Sequence, residues 1–170
     1  MASRRTAASI SLVTLRRPWV PSARRRPKPV RGEPASLFVD SGAWIALASA
    51  RDAHHAEADS LFRTAATLRL PLLTTNLVVA DIHRLLLHRA GIGVATRALE
   101  RLEGSPRLTV AFVRPEDHRA ARRWLARLGD HPISYTDAVS FAVMTARRCR
   151  TALSFDRHFE IAGFELWRSG

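Results

Sequence analysis

A chain of 170 residues with 46% apolar side chains is long enough for one domain with a buried core. It lacks any run near the roughly 20 uninterrupted apolar residues of a membrane-spanning helix, because the best stretch, Leu37 to Ala48, is broken by Asp40, Ser41 and Gly42. A single cysteine, Cys149, excludes an internal disulfide and fits a reducing, cytoplasmic setting. Arg147 and Arg148 precede it, but no histidine–asparagine constellation accompanies it to make it a nucleophile.

The net charge of +12 is unevenly spread. Residues 1–34 carry eight arginines and Lys28 against Glu33 alone, with prolines at 18, 21, 27, 29 and 34. That composition predicts a disordered Arg/Pro-rich extension, with domain 35–170 following it. A basic arm suits nucleic acid, an acid-poor leader also resembles an organelle transit peptide, and an upstream start codon would give the same tail. Ala7 to Val13 is too short and too serine-interrupted for a secretory signal. From Ala35 onward, eighteen arginines face fourteen acids, so the domain itself is only modestly basic.

Ser36 to Asp40 is a short apolar run ending in an acid, the pattern of a buried strand whose C-terminal end opens on a site. A helix is predicted over Gly42–Ala50. Asp52 then caps a second over His54–Leu68, and Pro71–Thr74 reads as a strand. A helix follows from Asn76 to Ala90, stopped by Gly91, and another from Val94 to Glu103. Leu108–Val113 alternates and is β-branched, hence a strand. Pro115 opens a helix to Leu128, Ser134 one to Arg148, Thr151–Phe155 makes a fourth strand and Phe164–Trp167 a short fifth. Strands alternating with helices imply a mainly parallel sheet of four to five strands covered on both faces, with sites at the strands' C-terminal ends.

Four aspartates, Asp40, Asp81, Asp137 and Asp156, stand where a strand ends or where a helix turns an apolar face inward. Asp40 and Asp156 end strands, although either residue type also forms strand-end turns. Asp81 shares helical spacing with Leu77, Val78 and Leu85, which places it in the buried stripe; the alternative is an exposed acid pairing with Arg84. Asp137 stands three residues after Ser134, the spacing of a capping box, so it reads equally as a helix cap. Converging buried carboxylates are costly unless a cation compensates them, so the four together point to a divalent metal in hydrolysis or phosphoryl transfer. The acids at 52, 57, 59, 100, 103, 116 and 117 read as a solvated face. No histidines have the spacing of a zinc helix, and Trp44, Trp124 and Trp167 read as core.

In four segments the chain resembles a PIN-domain ribonuclease, most closely the VapC-type toxins of toxin–antitoxin pairs. They are Leu37-Phe-Val-Asp40-Ser-Gly-Ala-Trp-Ile-Ala-Leu47, Thr74 to Leu86 around Asp81, Ser134-Tyr-Thr-Asp137 onward to Met144, and Ala152-Leu-Ser-Phe-Asp156-Arg-His-Phe159. The resemblance implies a three-layer α/β/α fold and hydrolysis of RNA phosphodiesters with Mg²⁺ or Mn²⁺. It implies Asp40 and Asp137 as metal ligands, Asp156 as ligand or water orienter, and Asp81 as ligand or outer partner. Ser41, Thr136 and Ser154 adjoin three of these acids and are placed to hydrogen-bond the cluster. A homodimer capped by a small antitoxin follows by the same analogy. The family usually carries glutamate at the position of Asp81; the shorter arm leaves room for a bridging water.

Two other classes compete. A receiver or aspartyl phosphatase shares the acidic α/β chemistry, but no lysine follows Lys28, and Asp40 lacks a second acid two positions on. A PIN-like module that binds RNA or a partner without cutting is the non-enzymatic alternative, supported by the Asp81 departure.

Overall fold

The computed structural model describes residues 36–168; the predicted extension over 1–34 lies outside them. Five strands, β1 (Leu37–Val39), β2 (Leu72–Thr75), β3 (Leu108–Ala111), β4 (Thr151–Leu153) and β5 (Glu165–Leu166), form one sheet in the order β3-β2-β1-β4-β5. Every neighbouring pair is parallel, with Phe38 opposite Leu73 on one side and Ala152 on the other. The helices are α1 (Ser41–Ala48), α2 (His55–Thr67), α3 (Asn76–Ala90), α4 (Ile92–Glu103), α5 (Pro115–Arg127), α6 (Tyr135–Ala146) and the short α7 (His158–Ile161).

The three residues of β1 show why the sheet needs cover on both faces. Leu37 and Val39 pack with Ala43 of α1, Leu61 and Ala65 of α2, and Leu153. Phe38, one position out of phase, packs instead among Ile82 and Leu86 of α3, Ala121 of α5, Phe141 of α6 and Phe159 of α7. Successive strand side chains point to opposite faces, so a continuous apolar run buries two layers at once. Phe38 is fully buried, and truncating it to alanine would cost about 3–5 kcal/mol.

Local signals set the helix ends. α3 starts where Thr75 Oγ1 accepts the Val78 amide at 3.1 Å, and buries Val78, Ile82 and Leu86, one residue per turn. Gly91, at φ 81, ends α3 and opens α4, a conformation that favours glycine. Pro115 occupies the first turn of α5.

Several expectations are corrected. Asp52 accepts the His54 amide at 3.0 Å in a turn before α2, and His54 takes the cap position. α7 was not anticipated, since four residues are too few for a helical period to show. Asp117 does not belong to a solvated face: it is buried and accepts from the backbone amide, Nε and Nη2 of Arg114 at 3.0, 3.1 and 3.3 Å.

The topology fixes where a site can form. From β1 the chain builds outward to β2 and β3, then returns to lay β4 and β5 on the other flank. The order therefore reverses between β1 and β4, where the loops leaving the two C-terminal ends diverge and open a crevice. Asp40 follows β1 directly, and Ser154 follows β4.

Candidate active site

Asp40 stands at that crevice as the N-cap of α1, buried at 6% exposure. Its Oδ2 accepts the fully buried Ser154 hydroxyl at 3.0 Å and the Gly42 amide at 3.4 Å, and Ser41 Oγ reaches Oδ1 at 3.4 Å. Burial first, and then the negative charge of Asp137, raise the Asp40 pKa to about 6, against the lowering effect of the Ser41 and Gly42 amides and the Ser154 hydroxyl. The Asp137 carboxylate is thus close enough to disfavour the charged form of Asp40.

Asp137 reaches this position from the third residue of α6. The capping box predicted from its spacing is present: Asp137 Oδ2 accepts the Ser134 amide at 2.8 Å, and Ser134 Oγ accepts the Asp137 amide at 3.1 Å. The two readings of Asp137 are therefore compatible. One carboxylate oxygen fixes the helix end, and the field of the group reaches Asp40.

The other two acids are occupied by neighbours on their own segments. Asp156 accepts the His158 amide at 2.9 Å and pairs with His158 Nδ1 at 2.9 Å; its own amide donates to Ser154 Oγ at 3.0 Å. Asp81 lies half-buried beside the Val78–Ile82–Leu86 row, in the flanking row with Leu77 and Leu85. Its Oδ1 meets Arg84 Nη2 at 3.4 Å. It is neither in the centre of the buried stripe nor fully solvated, and the Arg84 pairing weighed as the alternative is real. Among the described residues, no three of His, Cys, Asp and Glu form a group that could hold a metal ion. The structure brings Asp40 and Asp137 together and holds Asp81 and Asp156 by Arg84 and His158. Of the three flanking hydroxyls, Ser154 and Ser41 touch the cluster; Thr136 contributes its carbonyl to Ser140 Oγ at 2.8 Å.

Sequence reasoning missed three supports. Thr74, fully buried at the end of β2, donates its hydroxyl to the Val39 carbonyl at 2.9 Å and braces the residue before Asp40. His158 holds Asp156, and His54 stacks on Phe155 at 4.3 Å between centroids with an interplanar angle of 10°. Only the Ser154–Phe155–Asp156 order hinted at the last two, because a histidine's partner across a turn leaves no periodic trace. Cys149 is buried and donates to the Ser36 carbonyl at 2.8 Å; burial raises its thiol pKa, in keeping with a structural role.

A hard divalent cation suits this donor set. The acid pair offers oxygen ligands, and Asp40's raised pKa marks negative charge that the protein alone does not neutralise.

The comparisons with known proteins agree with this fold. The PIN-domain family pattern matches residues 37–165. VapC20 of Mycobacterium tuberculosis, named a 23S rRNA-specific endonuclease in two strains, is 34% identical over 128 residues, which span 75% of this chain and 95% of that protein. The crystal structure of VapC20, described as a toxin cleaving the sarcin–ricin loop, superposes with a TM-score of 0.73 at 33% identity, covering 79% of this chain and 100% of that one. VapBC2 from Rickettsia felis, bound to a DNA fragment from its promoter, matches at a TM-score of 0.59 and 11% identity over 77% of this chain and 96% of that one, a likeness of fold alone. With a family match across nearly all of the described domain, and a relative sharing a third of its positions almost end to end, the chain belongs to the PIN-domain family as a VapC-type member.

Proposed function

We propose that this chain is a ribonuclease toxin that hydrolyses RNA phosphodiester bonds with Mg²⁺ or Mn²⁺ bound at Asp40 and Asp137. The observation that carries the reading is the buried Asp40 carboxylate, raised to about 6 by burial and by Asp137, at the crevice where the sheet order reverses. A divalent cation there supplies concentrated positive charge for a phosphodiester oxygen and for an attacking water. Asp40 and Asp137 hold that charge. Ser154 keeps Asp40 in one orientation, and the α6 cap keeps Asp137 in one. Asp156 and Asp81, now paired with His158 and Arg84, would serve as further ligands or as partners of bound water.

Ribosomal RNA is the substrate to test first, because VapC20 is named for 23S rRNA and matches across 95% of its length. A small antitoxin as partner and a homodimeric toxin belong to the same proposal. The purified chain, incubated with ribosomal RNA, should cut it in Mg²⁺ or Mn²⁺ and stop in EDTA, while Asp40→Asn and Asp137→Asn are inactive. Retained cleavage in both variants would remove the acid pair from the site. RNA binding without cleavage in any metal would instead make the chain a binding module.

A further inference from the structure

Away from the acid pair, a cleft of about 450 Å³ opens between α5 and α6. None of the four site aspartates lines it, and its α6 wall is small: Ala142, Thr145 and Ala146. The α5 wall is Arg123, Trp124 and Arg127, with Ala120 leaving room between them. Glu116 and Asp117 also line the cleft, but both pair with Arg114, at 2.9 and 3.1 Å. That one guanidinium offsets half of their negative charge.

Among the described residues, Arg123 and Arg127 have no acidic partner within ion-pair distance, and both are exposed; Arg119 and Arg122, also exposed and without such a partner among those residues, extend the same helix face. Spacings of three, four and eight residues put the four guanidinium groups on one side of α5. Arg127 lies over the Trp124 ring, 5.1 Å from its centroid, and Trp124 is steadied by Phe141 at 5.6 Å and Phe164 at 6.1 Å. A guanidinium stacked on an indole keeps its N–H groups in the ring plane free to fork onto phosphate oxygens, while its outer face accepts a base.

We propose that this cleft is a second RNA contact, in which Arg123 and Arg127 grip the backbone of a single-stranded segment and the Arg127–Trp124 stack supports a neighbouring base. It rests on the reading of the chain as a ribonuclease. RNA fits better than an acidic protein segment because the site combines forked phosphate donors with a planar stacking shelf, and carboxylates use only the first.

The test uses the full chain in EDTA, where no cleavage occurs, with a labelled single-stranded RNA of about 20 nucleotides measured by anisotropy at several salt concentrations. Arg123→Gln/Arg127→Gln is compared with Arg51→Gln/Arg89→Gln, which removes equal charge at exposed positions outside the cleft. The cleft variant should bind on the order of 10-fold more weakly than this control, with a log–log salt slope shallower by about 1.4, roughly 0.7 per lost contact. Should the cleft variant lose its fold by circular dichroism, Arg123→Lys/Arg127→Lys replaces it; it should keep the salt slope and lose affinity, because lysine neither forks nor stacks. Equal affinity and slope in cleft variant and control would overturn the proposal. So would a labelled polyglutamate peptide that loses affinity in the cleft variant while RNA does not, which would assign the cleft to an acidic protein. The parent in Mg²⁺ provides the separate readout: parent cleavage with no cleft effect sinks this contact alone, whereas no parent cleavage in any metal sinks the ribonuclease reading.

Discussion

Ser154 and Asp40 form the bond that closes the crevice: the Ser154 hydroxyl donates to Asp40 Oδ2 at 3.0 Å and accepts the Asp156 amide at 3.0 Å. One fully buried oxygen thereby ties the end of β1 to the turn after β4. Ser154→Ala would leave the Asp156 amide without its acceptor and Asp40 Oδ2 with only the longer Gly42 amide contact at 3.4 Å. A stability loss of about 1–3 kcal/mol by urea denaturation is expected. Cleavage should fall as Asp40 loses its fixed orientation, and the Asp40 pKa should rise further once the hydroxyl no longer favours the charged form.

Asp40 makes stability depend on pH in a predictable direction. Its folded-state pKa of about 6 exceeds the ordinary 3.8, so the folded protein holds the proton more tightly than the unfolded chain. In metal-free buffer, this group's contribution is fully present below about pH 4 and is lost as pH rises through about 6, a change of about 3 kcal/mol. Asp40→Asn keeps a good helix cap and never ionises. It should remove that slope, unfold at higher urea than the parent at pH 7, and abolish metal-dependent cleavage. Superimposable pH–stability curves for the two proteins would contradict the assignment.

Asp137 should separate capping from chemistry. Asp137→Asn retains an oxygen for the Ser134 amide and should cost under about 1 kcal/mol, whereas Asp137→Ala loses the cap bond and should cost about 1–2 kcal/mol. Both should be inactive on RNA. Activity tracking stability across the pair, rather than vanishing in both, would make Asp137 a cap alone.

The sheet and helices were legible because burial on both faces and helical period write themselves into the spacing of apolar residues. Leu37-Phe-Val-Asp40 could hardly be anything but a buried strand with an acid at its end, and Gly91 and Pro115 marked helix boundaries by conformational necessity. Side-chain partners were less legible. Asp117 looked solvated because the acids around it are, yet Arg114 three residues before it wraps onto its carboxylate. His158 showed no pattern, since its contact with Asp156 depends on a turn rather than on a period. Asp81 fell between its two readings because helical spacing resolves a face only to within a row, and Asp81 sits one row from the buried one.

Asp81 offers a test with metal binding as its readout. Its arm is one methylene shorter than glutamate, and Arg84 competes for it at 3.4 Å. Asp81→Glu should tighten Mg²⁺ binding or leave it unchanged, and Asp81→Ala should weaken it by about 10- to 100-fold. Arg84→Ala should tighten it modestly by releasing the carboxylate. Calorimetric titration of the three variants checks the order; Asp81→Ala binding Mg²⁺ like the parent would leave Asp81 outside the site.

Asp117→Ala should destabilise without touching chemistry. It removes three acceptor contacts and leaves the partly solvated Arg114 guanidinium with Glu116 as its remaining acidic partner at the start of α5. About 2–3 kcal/mol is expected in urea denaturation. Mg²⁺ affinity should stay within error of the parent, which would separate this buried acid from the proposed metal ligands.

Asp40 and Ser154 are 114 positions apart in the chain, and β4 joins β1 only once everything between them has been synthesised. A nascent chain that has left the ribosome only as far as α5 carries Asp40 without Asp137 and without Ser154, so it holds no acid pair. Contacts between such distant segments form late, after loop closure has been overcome. The proposed nuclease site is therefore assembled only after β4 has emerged, and any product truncated before α6 lacks the acid pair.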